Sequence, residues 1–211
     1  METDVKKNEN LSVMTEQIRV VPYTGKKIHE FIPDIAKLRM EVFREYPFLY
    51  EGNYEYEMKY LRKYADTKDS LVVVAFDGKE IIGISTALPF SSVEDELKKP
   101  FVDAHLNTDE YFYFGESVLR KKYRGLGIGH RFFDEREKHT NNLKTFKHIC
   151  FCTVRRSPDD PRRPSDFRPL NSFWQKRGYK EHPELVCTIA WKEIGETLET
   201  PKELVFWTKK I

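Results

Sequence analysis

The stretch that most constrains this chain is Tyr123-Arg124-Gly125-Leu126-Gly127-Ile128-Gly129-His130. An aromatic run with strand character, residues 111–119, precedes it, and a run with helical spacing, residues 131–139, follows. Three alternating glycines between a strand and a helix leave backbone N–H groups uncovered by Cβ atoms. Those donors sit at a helix N-terminus, where unpaired amides and the macrodipole favour an anion. Arg124 adds a positive charge at the mouth of the turn. The physical expectation is a pyrophosphate cradle, and the alternative is a glycine-rich turn with only a packing role. Spacing narrows the ligand. The dinucleotide fingerprint G-x-G-x-x-G would need glycine where His130 stands, and a Walker loop would need a Gly-Lys-Ser/Thr run that the chain lacks. What remains is Arg124-x-x-Gly127-x-Gly129.

Around this stretch the chain reads as alternating elements. Residues 17–23 have strand character, with Pro22 near an edge or an end. Apolar residues between Ile32 and Phe43 recur at helical spacing, so residues 33–45 form a first helix with Pro33 in its first turn. Tyr56, Tyr60 and Tyr64 fall at i, i+4 and i+8, which gives a second helix over residues 54–64 with one aromatic face. That face either packs or walls a substrate pocket. Residues 71–76 and 80–88 flank Asp77-Gly78 as an antiparallel hairpin. Ser91 and Glu94 have the spacing of a capping box for a short helix over residues 91–97. Gly115 inside the central strand 111–119 marks a bulge or a close backbone approach. Beyond the cradle come a helix to about Asn141 and a strand over residues 147–154. A proline-rich loop over 155–169 then carries five arginines. A short helix stopped by Gly178 follows, and strands over 185–191 and 203–207 close the chain.

A second motif, Phe173-Trp174-Gln175-Lys176-Arg177-Gly178-Tyr179, stands one strand after the cradle. Together the two motifs resemble the signatures of the GNAT superfamily of N-acetyltransferases: Arg/Gln-x-x-Gly-x-Gly/Ala, and the Leu/Phe-Tyr-x-Lys-x-Gly-Phe run that ends its core. The element order matches as well. The resemblance implies an α/β fold of the mixed-sheet α+β kind, with about seven strands flanked by about four helices. It also implies that acetyl-CoA is the acyl donor and that an amine, unidentified, is the acceptor. The backbone of Ser117, Val118 and Leu119 would pair with pantetheine. The segment Arg124, Gly125, Leu126, Gly127, Ile128, Gly129 and His130 would hold the pyrophosphate, with Asn171, Trp174 and Lys176 of the second motif also beside the cofactor. A backbone amide near Val118 would polarise the thioester.

Glu116 is the candidate general base. The superfamily more often has its glutamate one residue earlier, at the position of Gly115, and a bulge there would restore the facing. The superfamily's usual acid is a tyrosine at the position of Trp174, and an indole N–H cannot replace it. Ser172, a nearby tyrosine or water are the substitutes. The arginines of loop 155–169 are either solvated, or contact the CoA 3′-phosphate, or recognise an acidic group on the acceptor. A small-molecule acceptor is favoured over a protein one.

Composition serves mainly to exclude. The sequence has 211 residues, with 36 Lys+Arg against 34 Asp+Glu, a balance that argues against a general nucleic-acid binder. No apolar run has the length of a membrane span, so no membrane partner is expected. Three cysteines suit a reducing, cytoplasmic setting, and no metal is expected from their spacing or from the histidines. Residues 1–16 read as a flexible tail and 17–211 as a single domain, monomeric or homodimeric. The rival classes are a catalytically weak acyl-CoA-binding or sensor module and a dinucleotide oxidoreductase, the latter disfavoured by the missing glycine at 130.

Overall fold

The structure, a computed structural model, describes residues 17–211. The expected tail over residues 1–16 lies outside the described residues.

Seven strands form one mixed sheet in the order β1-β2-β3-β4-β5-β7-β6. They are β1 Ile18–Tyr23, β2 Leu71–Asp77, β3 Glu80–Pro89, β4 Tyr111–Leu119, β5 His148–Val154, β6 Lys180–Trp191 and β7 Thr200–Lys210. All neighbours are antiparallel except β4 and β5. The central strands are apolar on both faces because helices cover both. Helices α1 (Ile32–Phe43), α2 (Tyr54–Asp66) and α3 (Asp95–Asp103) bury Ile35, Leu38, Leu61 and Phe101 against Val72, Val74 and Ile84. On the other face, Ile128, Phe132 and Phe133 of α4 (Ile128–Leu143) pack on Leu71, Val73 and Phe112, with the short α5 (Asn171–Lys176) beside them. This even coverage is why β2 and β3 read as continuous apolar runs rather than alternating ones.

Three local details differ from the sequence expectation. The β2–β3 turn has Gly78 and Lys79 at its centre, since Asp77 pairs with Glu80. Gly78, at φ +58°, takes the first central position, which a II′-type turn reserves for glycine. The helix expected over residues 91–97 starts later, because residues 90–92 form a 3₁₀ turn and α3 begins at Asp95 with no side-chain cap from Ser91. The two C-terminal strands extend beyond the expected bounds, because their outer residues pair with each other even where they are polar and exposed. The second helix does begin at Tyr54, capped by Asn53, whose side chain accepts from the Tyr56 amide at 3.0 Å.

Two features of the sheet set up the site. Strands β4 and β5 pair only through Tyr111–His148, Phe112–Ile149 and Tyr113–Cys150, then diverge while β5 stays paired with β7 as far as Val154. Along β4, Ser85 faces Ser117 but Ala87 faces Phe114, so two residues, Gly115 and Glu116, stand opposite Thr86. That is a β-bulge. No helix among the described residues is long and apolar enough to cross a membrane.

Candidate active site

The splay between β4 and β5 opens into a cavity of about 2550 Å³. It runs from the N-terminus of α4, along the free edge of β4, to a wall formed by α2, residues 44–53 and the start of the β6–β7 loop. Pockets for drug-sized ligands hold roughly 300–1,000 Å³, so this one has room for two substrates.

At one end, Gly125 (φ +84°) and Gly127 (φ +77°) take left-handed backbone conformations, and a Cβ at Gly125, Gly127 or Gly129 would project into open space. Gly127 is the N-cap of α4, with no side chain capping it. Among the described residues, the amides of Gly125, Leu126, Gly127, Ile128 and Gly129 find no acceptor. His130 and Arg131 are the first to close back, on the Gly127 carbonyl at 3.0 and 3.3 Å. Five free donors at a helix start, uncovered by side chains, fit a pyrophosphate. The Ile128 side chain is buried in the core, so only its backbone is available. The Arg124 guanidinium turns away from the amides: it donates to the Leu119 carbonyl at 3.0 Å and to Glu45 at 2.7 Å.

In the middle, residues 114–119 of β4 keep one edge without a strand partner among the described residues. Ser117, Val118 and Leu119 lie there, lining the cavity, so an extended ligand backbone could pair with them. Behind this edge sits Arg136 of α4, 1% exposed. Its guanidinium donates to Ser117 Oγ at 2.9 Å and lies 4.3 Å from the Phe114 ring, and among the described residues no carboxylate forms an ion pair with it. Burial pulls its pKa down to about 10, which still leaves it charged at neutral pH.

The bulge decides where Glu116 points. Tyr111 and Tyr113 face the α1–α2 side of the sheet, Phe112 and Phe114 the α4 side. Simple alternation would send residue 116 to the α4 side. The extra residue at Gly115 reverses the parity, and Glu116 reaches the α1–α2 side. There its carboxylate meets Arg39 of α1 and accepts from the Tyr60 hydroxyl at 3.1 Å, while its amide donates to Thr86 Oγ1 at 3.2 Å. Arg39 also donates to Glu57 of α2. The three charged side chains are 0–8% exposed. Tyr60 and Tyr64 share a hydrogen bond at 2.9 Å. Burial, then the neighbouring Glu116 carboxylate, raises both phenols above their ordinary range. Arg39 is held further into its charged range: burial opposes the charge, but Glu116, Tyr60 and Glu57 outweigh it.

The second motif contributes unevenly. Asn171 and Trp174 line the cavity. The Trp174 ring lies 5.1 Å from Phe151 and 5.2 Å from Trp207, a packing position at the β5 side of the splay. Lys176 is exposed and lies outside the cavity, because it falls on the outer side of α5. Ser172 is outside it too. His130 is exposed, edge-on to Phe173 at 4.8 Å. In loop 155–169, Arg156 and Arg162 both clasp Glu193, which is 2% exposed, and Arg156 also donates to the Pro47 and Phe48 carbonyls. Those two arginines fasten the loop to the cavity wall. Cys150, Cys152 and Cys187 are free thiols, and the described residues hold no metal-binding group of three His, Cys, Asp or Glu.

Sequence reasoning missed Arg39, Glu57 and Arg136. A signal was present: each is a charged residue at a core-facing helical position, Arg39 beside Ile35 and Val42, Glu57 one turn before Leu61, Arg136 one turn after Phe132. A buried charge needs a partner, and such positions point to one.

No family model matches the chain, and no curated protein matches it. Solved structures do. A ribosomal-protein-alanine N-acetyltransferase from Brucella melitensis is 13% identical, with 92% of this chain and 99% of that one covered, at a TM-score of 0.58. An acetyltransferase of the GNAT family from Streptococcus pneumoniae is 15% identical, covering 92% and 99%, at 0.55. Arabidopsis thaliana NAA60, solved in complex with a bisubstrate analogue, is 12% identical, covering 92% and 98%, at 0.58. Together with the splayed β4–β5 pair and the bulge, these likenesses establish that the chain has the GNAT acetyltransferase fold, a seven-stranded mixed sheet between helices.

Proposed function

We propose that residues 17–211 form one acetyltransferase domain that moves the acetyl group of acetyl-CoA to a primary amine by direct attack within a ternary complex. The observation that carries this reading is the continuity of two binding surfaces, the unpaired β4 edge and the five free amides at the start of α4. When bound, acetyl-CoA supplies an activated acyl group. Ser117, Val118 and Leu119 hold its pantetheine through backbone groups, and residues 124–129 hold its pyrophosphate, where Arg124 adds charge after releasing Glu45. Asn171 and Trp174 border the cofactor, Trp174 as a wall.

The chain's own part in the transfer follows from position. The Val118 amide polarises the thioester carbonyl. The amine nitrogen attacks that carbon, the C–S bond breaks, and the CoA thiolate leaves with a proton from water. Water is taken as the donor because Trp174 offers only an indole N–H, Ser172 lies outside the cavity, and burial raises the phenols of Tyr50, Tyr56, Tyr60 and Tyr113 along its lining, which makes them weaker acids. The bulge sets Glu116 beside the reacting carbon on the acceptor side, where it takes the proton that the amine gives up. Arg39 and Tyr60 are positioning residues that fix its carboxylate.

The decisive experiment is calorimetric titration with acetyl-CoA, followed by thiol release across a panel of amines. Binding with release is the expected result. Binding without release from any amine would favour a catalytically weak acyl-CoA-binding module, and absence of both overturns the reading. Within it, Glu116→Gln is expected to lower kcat while acetyl-CoA affinity in calorimetry stays unchanged, and an unchanged rate removes the base assignment.

A further inference from the structure

Ser117 holds the cofactor through its backbone, yet its side chain is also exposed in the cavity and already has one partner. Arg136 donates to Ser117 Oγ at 2.9 Å. A guanidinium can only donate, so Oγ accepts there and keeps its own proton to give. Among the described residues no acceptor takes that proton. The oxygen is thus held by a cation while the O–H is free for whatever occupies the cavity. A hydroxyl polarised in this way is a stronger donor than an isolated one.

Packing, not pairing with a carboxylate, holds Arg136 in place. Its guanidinium lies 4.3 Å from the Phe114 ring and 4.6 Å from the Phe133 ring, and its remaining donors reach the Phe132, Thr86 and Glu116 carbonyls at 3.3–3.4 Å. Burial is the largest influence on its charge. Tyr179, Glu116, Glu137 and Tyr64 oppose that influence without offsetting it. Both carboxylates have nearer cations, Arg39 for Glu116, and Arg177 and Lys209 for Glu137. A cation so placed gains when a negative charge forms close to it.

In acetyl transfer that charge forms on sulfur. The bulge sends Glu116 to the α1–α2 side of β4, and Ser117, the next residue, to the α4 side, where Arg136 meets it. The amine occupies the Glu116 side. The sulfur ends the arm that runs to the start of α4, which places it on the Ser117 side. Val118 and Leu119, the other residues of that edge, have apolar side chains. Resting on the acetyl-transfer reading, we propose that the Ser117 hydroxyl, polarised by Arg136, donates a hydrogen bond to the CoA sulfur as the C–S bond breaks. The electron pair of that bond passes to sulfur, the hydroxyl stabilises the resulting thiolate, and water then supplies its proton. Ser117 is a catalytic residue through its side chain, and Arg136 is a positioning residue that acts through it.

The test uses the full chain with CoA, whose free thiol reports the state of the sulfur, and with desulfo-CoA as the reference. Subtracting one complex from the other cancels the protein's own thiols and phenols and leaves the ultraviolet thiolate band of bound CoA. A pH titration of that band is expected to place the bound thiol about one unit or more below free CoA, about tenfold in the ratio of thiolate to thiol. Ser117→Ala should remove most of that shift and lower kcat about tenfold, while its affinity for desulfo-CoA in calorimetry stays the same. Ser117→Thr keeps a hydroxyl and should keep the shift. Arg136→Met should remove the shift as well, and if it does not fold the two Ser117 variants still decide. A bound thiol that titrates like free CoA, or a shift or kcat that survives intact in Ser117→Ala, overturns the proposal. So does an equal loss of CoA and desulfo-CoA affinity in Ser117→Ala, which would make the hydroxyl a contact to the pantetheine arm. The two readings fail separately: no binding of either ligand sinks the transfer reading, whereas binding without a shifted thiol sinks the thiolate assignment alone.

Discussion

A methyl group added at Gly115 would lie 2.3 Å from the Tyr64 hydroxyl and 2.6 Å from Thr86 Oγ1. Neither can retreat cheaply, because Tyr64 is buried and bonded to Tyr60, and Thr86 accepts from the Glu116 amide. Gly115→Ala is therefore expected to lose about 1–3 kcal/mol of stability, read from urea midpoints, as overpacked sites do. Its rate should fall further than its stability suggests. A shift of about 1 Å in the bulge re-aims Glu116, and misplacements of that size cost on the order of 10²-fold. The sequence marked Gly115 as a bulge or close approach, and it is both. The neighbours that make it so, Tyr64 from α2 and Thr86 from β3, come from distant parts of the chain and leave no local trace. The same holds for Arg39 and Glu57. Their types and helical phases are visible in the sequence, but pairing between two helices eighteen residues apart depends on a packing angle that periodicity does not contain.

Among the elements, the start of α4 was the most legible, because a glycine turn between strand and helix is local chemistry. Gly127 needs its left-handed φ to release the amides of the first turn. Gly127→Ala is expected to cost about 1–2 kcal/mol from that backbone conformation and to weaken CoA binding in calorimetry, leaving the acceptor end unaffected. Loop 155–169 was the least legible. Five arginines in a proline-rich segment read first as solvated, with phosphate contacts or acceptor contacts as the alternatives. The partner that employs two of them, Glu193, lies more than thirty residues further along. Glu193→Ala strands Arg156 and part of the Lys202 environment. A loss of about 3 kcal/mol is expected, together with faster proteolytic cleavage between residues 157 and 168. Cleavage at the wild-type rate would show that the clasp does not hold the loop.

For the whole molecule, a ligand that binds only the folded state stabilises it by mass action. Acetyl-CoA at about 100 times its dissociation constant should add about 2.7 kcal/mol, which for a chain of this size raises Tm by roughly 5–10 °C. A smaller rise at the same saturation would mean that the unfolded or partly folded chain also binds.

The three-pair junction between β4 and β5 has a mechanical meaning as well. It is a seam between two half-sheets, β1–β4 and β5–β7, each continuous within itself, and helices brace it from both faces: α3 lays Phe101 against Tyr111 and Phe206, and α4 lays Phe133 against Phe114 and Phe151. Backbone ladders elsewhere are long, so amide hydrogen exchange should resolve two cooperative blocks that open at different rates. A nucleotide thioester lying along the seam would act as a stitch: the slow-exchange boundary would spread from one block into the other, and the molecule would breathe as one unit only while its cosubstrate is in place.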